Sequence, residues 1–473
     1  MKKVNLIYFI IFLFLLVSKL GIAQYSFARR YNTFFEKDQV IGCQVLSSGY
    51  AILGHINPCG LCTKGLYYFL LDTMGNIIVE KTFALNYDAM GKILHKSIGD
   101  TLIISGVIDN TNQPVYDIFI AKIDKDGGLI WKKQFVSDSL YNHISPQSIC
   151  NTIDSGYFVL YLGAAKGIRF MKLNSNGDSL YTKKIGLPFH GGTSMTELHD
   201  NGFAMLGTRF ISGILAYTML RLDLNGDTLW TIDLPRDTIR FLSKIIETKD
   251  HGFVLLGDLR DSLNHNPNCL FKFDSAGTFL WSKPLYTPNI QNSYAIQNCS
   301  DGGFIVAGIT IDPAHQFNYS FLYRTDSNGD SLWFKEYETM FHSGFSDVKQ
   351  TPDKGFLAVG GIEGKPFQPG DIFVVKTDSM GNVSSTLGIK KYQLHHELHI
   401  FPNPATNLLT IALTMEETDS YISIHDASGR KIFEETSIHQ NNITIDVSDF
   451  ATGIYFISVI EGEKVYRNKL IVE

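Results

Sequence analysis

The chain has 473 residues, 44% hydrophobic and 12% aromatic, with 41 Lys+Arg against 47 Asp+Glu and a formal net charge of −6. No basic block occurs, so the electrostatic footprint of phosphodiester binding is missing and nucleic acid is not an expected partner. The length excludes one small core and suits several domains or one repeat array; six cysteines in so long a chain do not make a disulfide scaffold.

Residues 1–23 read as a signal peptide. Lys2 and Lys3 open it, an apolar run "VNLIYFIIFLFLLV" follows, and small residues at Gly21 and Ala23 suit cleavage before Gln24. The competing reading is an uncleaved anchor, because the run is near the minimum length to span a bilayer. No later stretch is long and apolar enough to cross, so no transmembrane segment is expected after cleavage.

From residue 24 to 388 the text repeats. A D-x-x-G element begins at Asp72, Asp124, Asn174, Asp223, Asp274, Asp326 and Asp378, in steps of 52, 50, 49, 51, 52 and 52 residues. A second element runs in phase, as in "DNGFAMLG" at 200–207 and "DHGFVLLG" at 250–257. Each period resolves into four short β-branched and aromatic runs bounded by Gly, Asp, Asn or Ser, the signature of strands joined by tight turns. Four strands per period, seven times, predicts an all-β, seven-bladed β-propeller of four-stranded blades. In D-x-x-G the carboxylate can accept from N–H groups two residues on, and the glycine takes the positive φ. The Trp after the turn opens the outer strand and can cover apolar surface at the blade edge.

The seams predict how the ring closes. After Gly381 the seventh period continues as "NVSSTLGIKK", with no Trp and little apolar pattern. "YSFARRYN" at 25–32 resembles the outer strand of other copies, such as "LWFKEY". Residues 25–32 are therefore expected to supply the missing outer strand of the last blade, removing its exposed edge.

The two repeated turns fall on one end of such a ring, and joins of variable length and chemistry fall on the other. Variable loops on one face of a repeat array usually mark the binding face. Ligand-binding candidates there are His143, His190, Asp258, His265, His315 and His342. Cys59 and Cys62 are spaced as in a redox motif but lack its strand-to-helix setting, and a local disulfide is the expected use. No metal site is assigned. The histidines come from different blade junctions, "DSNGD" places its glycine fourth rather than sixth as a calcium loop would, and "HHELH" at 395–399 is not HExxH. No motif for a catalytic residue or a cofactor is found.

Residues 389–399 read as a polar linker, and alternating apolar runs with glycine turns over 400–473 predict a small β-sandwich. This segment holds "FPNPATNLLTI" (Phe401, Pro402, Asn403, Pro404), "IHDASGRKI" (Gly429), "TGIYFISV" (Gly453, Tyr455) and a last strand bearing Lys469. In that order and at the C-terminus, they resemble the type A C-terminal sorting domain of the type IX secretion system of Bacteroidetes. The resemblance implies export through the inner membrane, passage across the outer membrane with the secretion machinery as partner, and release or attachment at the cell surface. It says nothing of what the cargo does. The propeller region also resembles secreted propeller cargoes, at the level of fold. The first functional expectation is a non-catalytic module that binds a glycan or a surface protein. The alternatives are a secreted polysaccharide hydrolase or lyase, and a structural adhesin component.

Overall fold

The computed structural model describes residues 25–473 except 33–38, 57–64, 84–88, 110–115, 137–143, 164–166, 187–188, 236–237, 261–266, 286–289, 312–317, 338–341, 364–369, 384–391, 394–398, 413–419, 427–430, 438–441 and 462–463. Residues 1–23, expected to be a signal peptide, lie outside the described residues. The chain divides into a unit built on residues 35–390 with the N-terminal residues up to 30, and a second unit of 391–473 with 31–34.

The first unit is a seven-bladed β-propeller. Blade 1 runs Gln39–Leu46, Gly49–Ile56, Gly65–Leu71 and Ile77–Phe83, paired antiparallel in chain order. Blades 2 to 6 repeat that order, ending with Ile290–Asn298, Phe304–Ile311, Asn318–Thr325 and Ser331–Tyr337. The first strands of successive blades touch around the ring, and that of blade 7 reaches that of blade 1. Third strands such as Gly65–Leu71 and Asn268–Phe273 are buried along their whole length, while fourth strands such as Ile77–Phe83 alternate and are largely exposed. Each of the six junctions from blades 1–2 to 6–7 holds one apolar cluster, for example Leu206, Leu242, Phe253 and Phe271 between blades 4 and 5. A blade buries both faces only by stacking between neighbours.

In the seventh sheet, Ser343–Gln350, Phe356–Glu363 and Gly370–Thr377 are followed by Phe27–Asn32. The first strand of the chain is thus the fourth strand of the last blade, with the two-residue strand Tyr392–Gln393 pairing parallel to its Tyr31 and Asn32, and Arg30 forms an ion pair with the nearly buried Asp371.

The D-x-x-G turns are built as their chemistry requires. Asp72 Oδ1 accepts from the N–H groups of Met74 and Asn76, each at 2.8 Å, and Gly75 has φ +82°. Asp326 does the same with Asn328 and Asp330, both at 2.9 Å. Beyond the turn, the Trp of one blade lies on the turn glycine of the next: Trp131 on Gly177, Trp230 on Gly277, Trp281 on Gly329 and Trp333 on Gly381. Two residues after the ring a lysine reaches the acid beside that glycine. Lys133 meets Asp178 at 2.6 Å and Lys283 meets Asp330 at 2.5 Å, and Lys183 pairs with Asp227. The closing strand mimics this device: Phe27 lies on Gly75 of blade 1, and Arg29 donates to Gly75 O and, at 3.1 Å, to Asn76 Oδ1. These contacts all run one way, from the outer strand of one blade to the turn of the next.

A second repeated device lies inside the first hairpin of blades 3 to 7. The Asp of the D-x-G-F turn pairs with a nearly buried cation of the third strand. Lys172 lies 2.6 Å from Asp154, Lys272 2.6 Å from Asp250, Arg324 2.5 Å from Asp301 and Lys376 2.8 Å from Asp353; Arg221 pairs with Asp200. Partial burial opposes ionisation of these acids, but hydrogen bonds from the cation and a glycine N–H prevail, joined by a threonine hydroxyl at Asp154, Asp250 and Asp353. Asp154 and Asp250 are held down to about 2. A carboxylate with a depressed folded pKa contributes stability that is complete above its unfolded pKa, near 4, and lost as pH falls through the folded value. The protein should therefore lose stability from about pH 4 toward pH 2, and Asp250→Asn should make that loss shallower while lowering stability at neutral pH. Urea unfolding at stepped pH values checks this; an identical pH profile for the variant would refute it.

The second unit comprises two sheets. One has His399–Phe401, Leu408–Ala412 and Asn442–Asp446; the other has Lys431–Ser437, Ser420–Asp426, Gly453–Glu461 and Lys464–Val472. Leu409, Ile411, Ile443 and Ile445 of the first sheet meet Ile422, Ile424, Ile457, Val459 and Leu470 of the second in one core, as a sandwich requires.

Candidate functional site

Most of the candidates from the variable joins fall where the structure is not described. His143, His265, His315, Cys59 and Cys62 lie outside the described residues. His190 belongs to the strand Phe189–Glu197. Asp258 is partly buried with Arg240 Nη1 3.7 Å away, and burial raises its pKa against the pull of that guanidinium. His342 Nδ1 accepts from the Asn318 N–H at 3.0 Å, tying the start of blade 7 to blade 6. These two residues serve different local contacts. Cys43, Cys150, Cys269 and Cys299 are free, buried thiols, pushed up by burial and so held as inert packing groups.

Polar groups converge instead on the central channel and on its mouth at the repeated-turn end. Every first strand has a register shift at the same place, including Leu242/Lys244 and Phe345/Asp347. A bulge re-aims the side chains beside it, and here those beside the shift include Lys244 and Asp347. Asp347 bonds Lys349 Nζ at 2.7 Å and accepts the Cys43 N–H at 3.1 Å across the blade 7–1 junction. Burial disfavours the charge on Lys349, but Asp347 outweighs it and raises its pKa. Lys244 is open to solvent yet walled in, and that enclosure lowers its pKa, with Asp347 opposing and Lys349 adding to the effect. His95 is held neutral at pH 7, down to about 4, by burial against a hydrogen bond with Asn151.

Above these groups opens a basin of about 500 Å³ whose lining includes Gln44, Lys96, Gln297, Lys349, Gln350 and Lys354. Its carboxamides also knit the blades together. Gln350 Oε1 accepts from Ser300 N–H and Gln297 Oε1 from Gln350 N–H, each at 2.7 Å. With these oxygens so used, the amide nitrogens of Gln297 and Gln350 are the donors left to a ligand, while that of Gln44 donates to Leu94 O at 2.9 Å. Lys96 is partly neutralised by Asp100 at 3.0 Å.

A third group lies on the same end, at the junction of blades 4 and 5. His199 sits in the first turn of blade 4, and Glu247 and His251 flank the equivalent turn of blade 5. His199 Nδ1 is 2.6 Å from Glu247 Oε1, and the His199 N–H donates to Glu247 Oε2 at 2.9 Å. His251 Nδ1 is 3.7 Å from the same Oε1, and the two imidazoles stack with centroids 3.6 Å apart. Reading the sequence missed this group. The signal present in the letters was a histidine on either side of the turn aspartate in consecutive copies, His199 before Asp200 and His251 after Asp250, where other copies place Ile153, Ser300 and Pro352 or Ser155, Gly302 and Lys354.

In the second unit the motif residues converge on the last strand. Asn403 Nδ2 donates to Lys469 O at 2.8 Å, and Asn403 Oδ1 accepts from Ile471 N–H at 2.9 Å. Phe401–Pro402 and Asn403–Pro404 are cis. Tyr455 is buried and its hydroxyl donates to Ala451 O at 2.7 Å; Gly453 pairs with Val472. The Lys469 side chain is exposed, and Gly429 lies outside the described residues.

The molecule is thus a seven-bladed propeller joined to a compact β-sandwich tail. Residues 399–473 match the model of the secretion system C-terminal sorting domain. The tail marks the chain as cargo of the type IX secretion system, secreted or attached to the cell surface. Among the described residues no helix is long and apolar enough to cross a membrane. No curated protein matches the chain. Among solved structures, it is similar to PorZ, a surface component of the type-IX secretion system of Porphyromonas gingivalis, at 12% identity and TM-score 0.39, over 94% of this chain and 70% of that one. It is similar to a puromycin hydrolase at 9% identity and TM-score 0.47, over 79% of this chain and 58% of that one. It is similar to Sqt1 from Chaetomium thermophilum at 12% identity and TM-score 0.41, over 70% and 81%. Likenesses this distant carry no argument about activity.

Proposed function

We propose that the propeller is a non-catalytic recognition module that takes an anionic polysaccharide at the turn-side mouth of its channel. The observation that supports this reading is charge segregation. The chain as a whole carries −6, yet Lys349 lies both in the basin with Lys96 and Lys354 and in the channel beside Lys244, against the channel carboxylate Asp347. Amide donors between the lysines suit hydroxyl and carboxylate oxygens, and an enclosed mouth focuses the field on an incoming anion. Glycoside hydrolysis ordinarily uses two carboxyl groups flanking the bond. Asp347 is already committed to Lys349 and a backbone N–H.

The test passes acidic and neutral polysaccharides over the purified protein, scoring retention and counting new reducing or unsaturated ends. Salt-sensitive retention of acidic polymers without new ends is expected, weakened several-fold by Lys354→Gly, a change that also relieves the positive φ of +65° at that residue. New ends would overturn the reading in favour of a hydrolase or lyase. Absence of retention on every polymer would overturn it in favour of a protein partner.

A further inference from the structure

We propose that His199, Glu247 and His251 form a binding site for a divalent transition metal, zinc in the first instance. One ligand atom from each lies within 4.8 Å of the other two, and among the described residues no other such group of three His, Cys, Asp or Glu is found. Zinc bonds of about 2.0–2.2 Å in tetrahedral geometry place ligand atoms roughly 3.3 Å apart. The three groups therefore need only small side-chain rotations to converge on one ion. Two imidazoles and one carboxylate favour zinc, and nickel or copper, over the oxygen-seeking calcium and magnesium.

The site is held from behind. The His199 N–H fixes one carboxylate oxygen of Glu247 at 2.9 Å. Asn298 Nδ2 of blade 6 fixes the Glu247 carbonyl at 2.6 Å. Both histidines ride on tight turns closed by Asn201 N–H to Leu198 O at 2.9 Å and His251 N–H to Thr248 O at 2.8 Å. His251 takes φ +62° there, a left-handed conformation in which the turn, rather than the side chain, sets the direction of the ring.

Comparison between blades separates chelation from scaffolding. At the junction of blades 6 and 7 the same backbone staple recurs, with Ser300 N–H donating to Gln350 Oε1 at 2.7 Å. The residues equivalent to His199 and His251 there are Ser300 and Lys354. A neutral carboxamide is thus sufficient for the staple. Only at the junction of blades 4 and 5, among those with this staple described, is the acceptor a carboxylate with two imidazoles stacked over it. The side chains of His199 and His251 are largely exposed, at 49% and 53%, so an ion reaches them from solvent and keeps an open coordination position for water or an external donor.

The test uses the full chain purified without a polyhistidine tag, stripped with chelator and titrated with zinc chloride by calorimetry. One zinc per chain is expected, together with a rise in melting temperature that chelator reverses. His251→Gly places at that turn the residue blade 6 uses at the same position, Gly302, so folding is preserved. It should weaken zinc binding by roughly 10-fold or more. Glu247→Gln retains the acceptor for the His199 N–H and should weaken zinc comparably, with the melting temperature in chelator unchanged. Absence of stoichiometric binding, or zinc affinity in both variants equal to that of the parent, would overturn the proposal and leave the three residues as an inter-blade ion pair. The outcome is independent of the polysaccharide experiment.

Discussion

Deletion of residues 25–32 should lower the melting temperature by roughly 10 °C or more, since one kcal/mol is worth a few degrees or less in a domain this large. The strand Phe27–Asn32 completes the last sheet beside Gly370–Thr377. Its loss removes a row of backbone hydrogen bonds, the Arg30–Asp371 pair and the packing of Phe27 on blade 1. It also leaves Asp371, nearly buried, without that guanidinium, and exposes a strand edge that favours self-association. Phe27→Ala tests the ring contact alone, with an expected cost of about 3 kcal/mol for a large buried aromatic. Scanning calorimetry with light scattering reads both. An unchanged melting temperature for the deletion would mean that the ring does not depend on this strand.

Gly329→Ala should cost about 2–4 kcal/mol, from the left-handed backbone penalty and the displaced ring together. Gly329 has φ +81°, and a Cβ there would lie 2.6 Å from Trp281 Cη2. Gly302→Ala is the control. It has φ +91° but its nearest neighbour would be 3.7 Å away, so it pays the backbone penalty alone. The difference between the two variants in chemical denaturation isolates the tryptophan contact. Equal losses would show that the glycine is kept for its φ and that the ring above it is incidental.

Much of the architecture could be read from the letters, because repetition at a fixed period overdetermines it. Seven D-x-x-G turns, four short runs in each period and a C-terminal sandwich all follow from turn chemistry and period-two alternation. What the letters hid lies between copies. The repeat shows that Trp281 and Gly329 each recur, but not that the ring of one blade rests on the turn of the next. Nor does spacing reveal that Lys283 meets Asp330, since the contact runs across a stacking interface and not along a strand. The groups proposed to bind were hidden for the same reason. Lys244 and Asp347 sit beside bulges in first strands, and a bulge leaves no mark in apolar periodicity. His199 and Glu247 belong to different blades, and they lie at the end of the ring opposite the variable joins.

The one-way stitching has a consequence for how such a ring can grow. Four blades carry a tryptophan plug (Trp131, Trp230, Trp281 and Trp333), each seated on the turn glycine of the next blade, and a lysine–acid pair adds to the interface at the junctions of blades 2–3, 3–4 and 5–6. A duplicated blade therefore arrives with both halves of its interface already matched to either neighbour. The near-identical octets "DLNGDTLW" and "DSNGDSLW" are what such copying would leave behind. At the junction of blade 7 with blade 1 the plug is Phe27 with Arg29 and comes from the far end of the chain. The blade 7 strands it must pair with are separated from it by almost the entire propeller sequence. That latch can fasten only after every other blade is in place, which makes it the expected last step of assembly and the first joint to part under load.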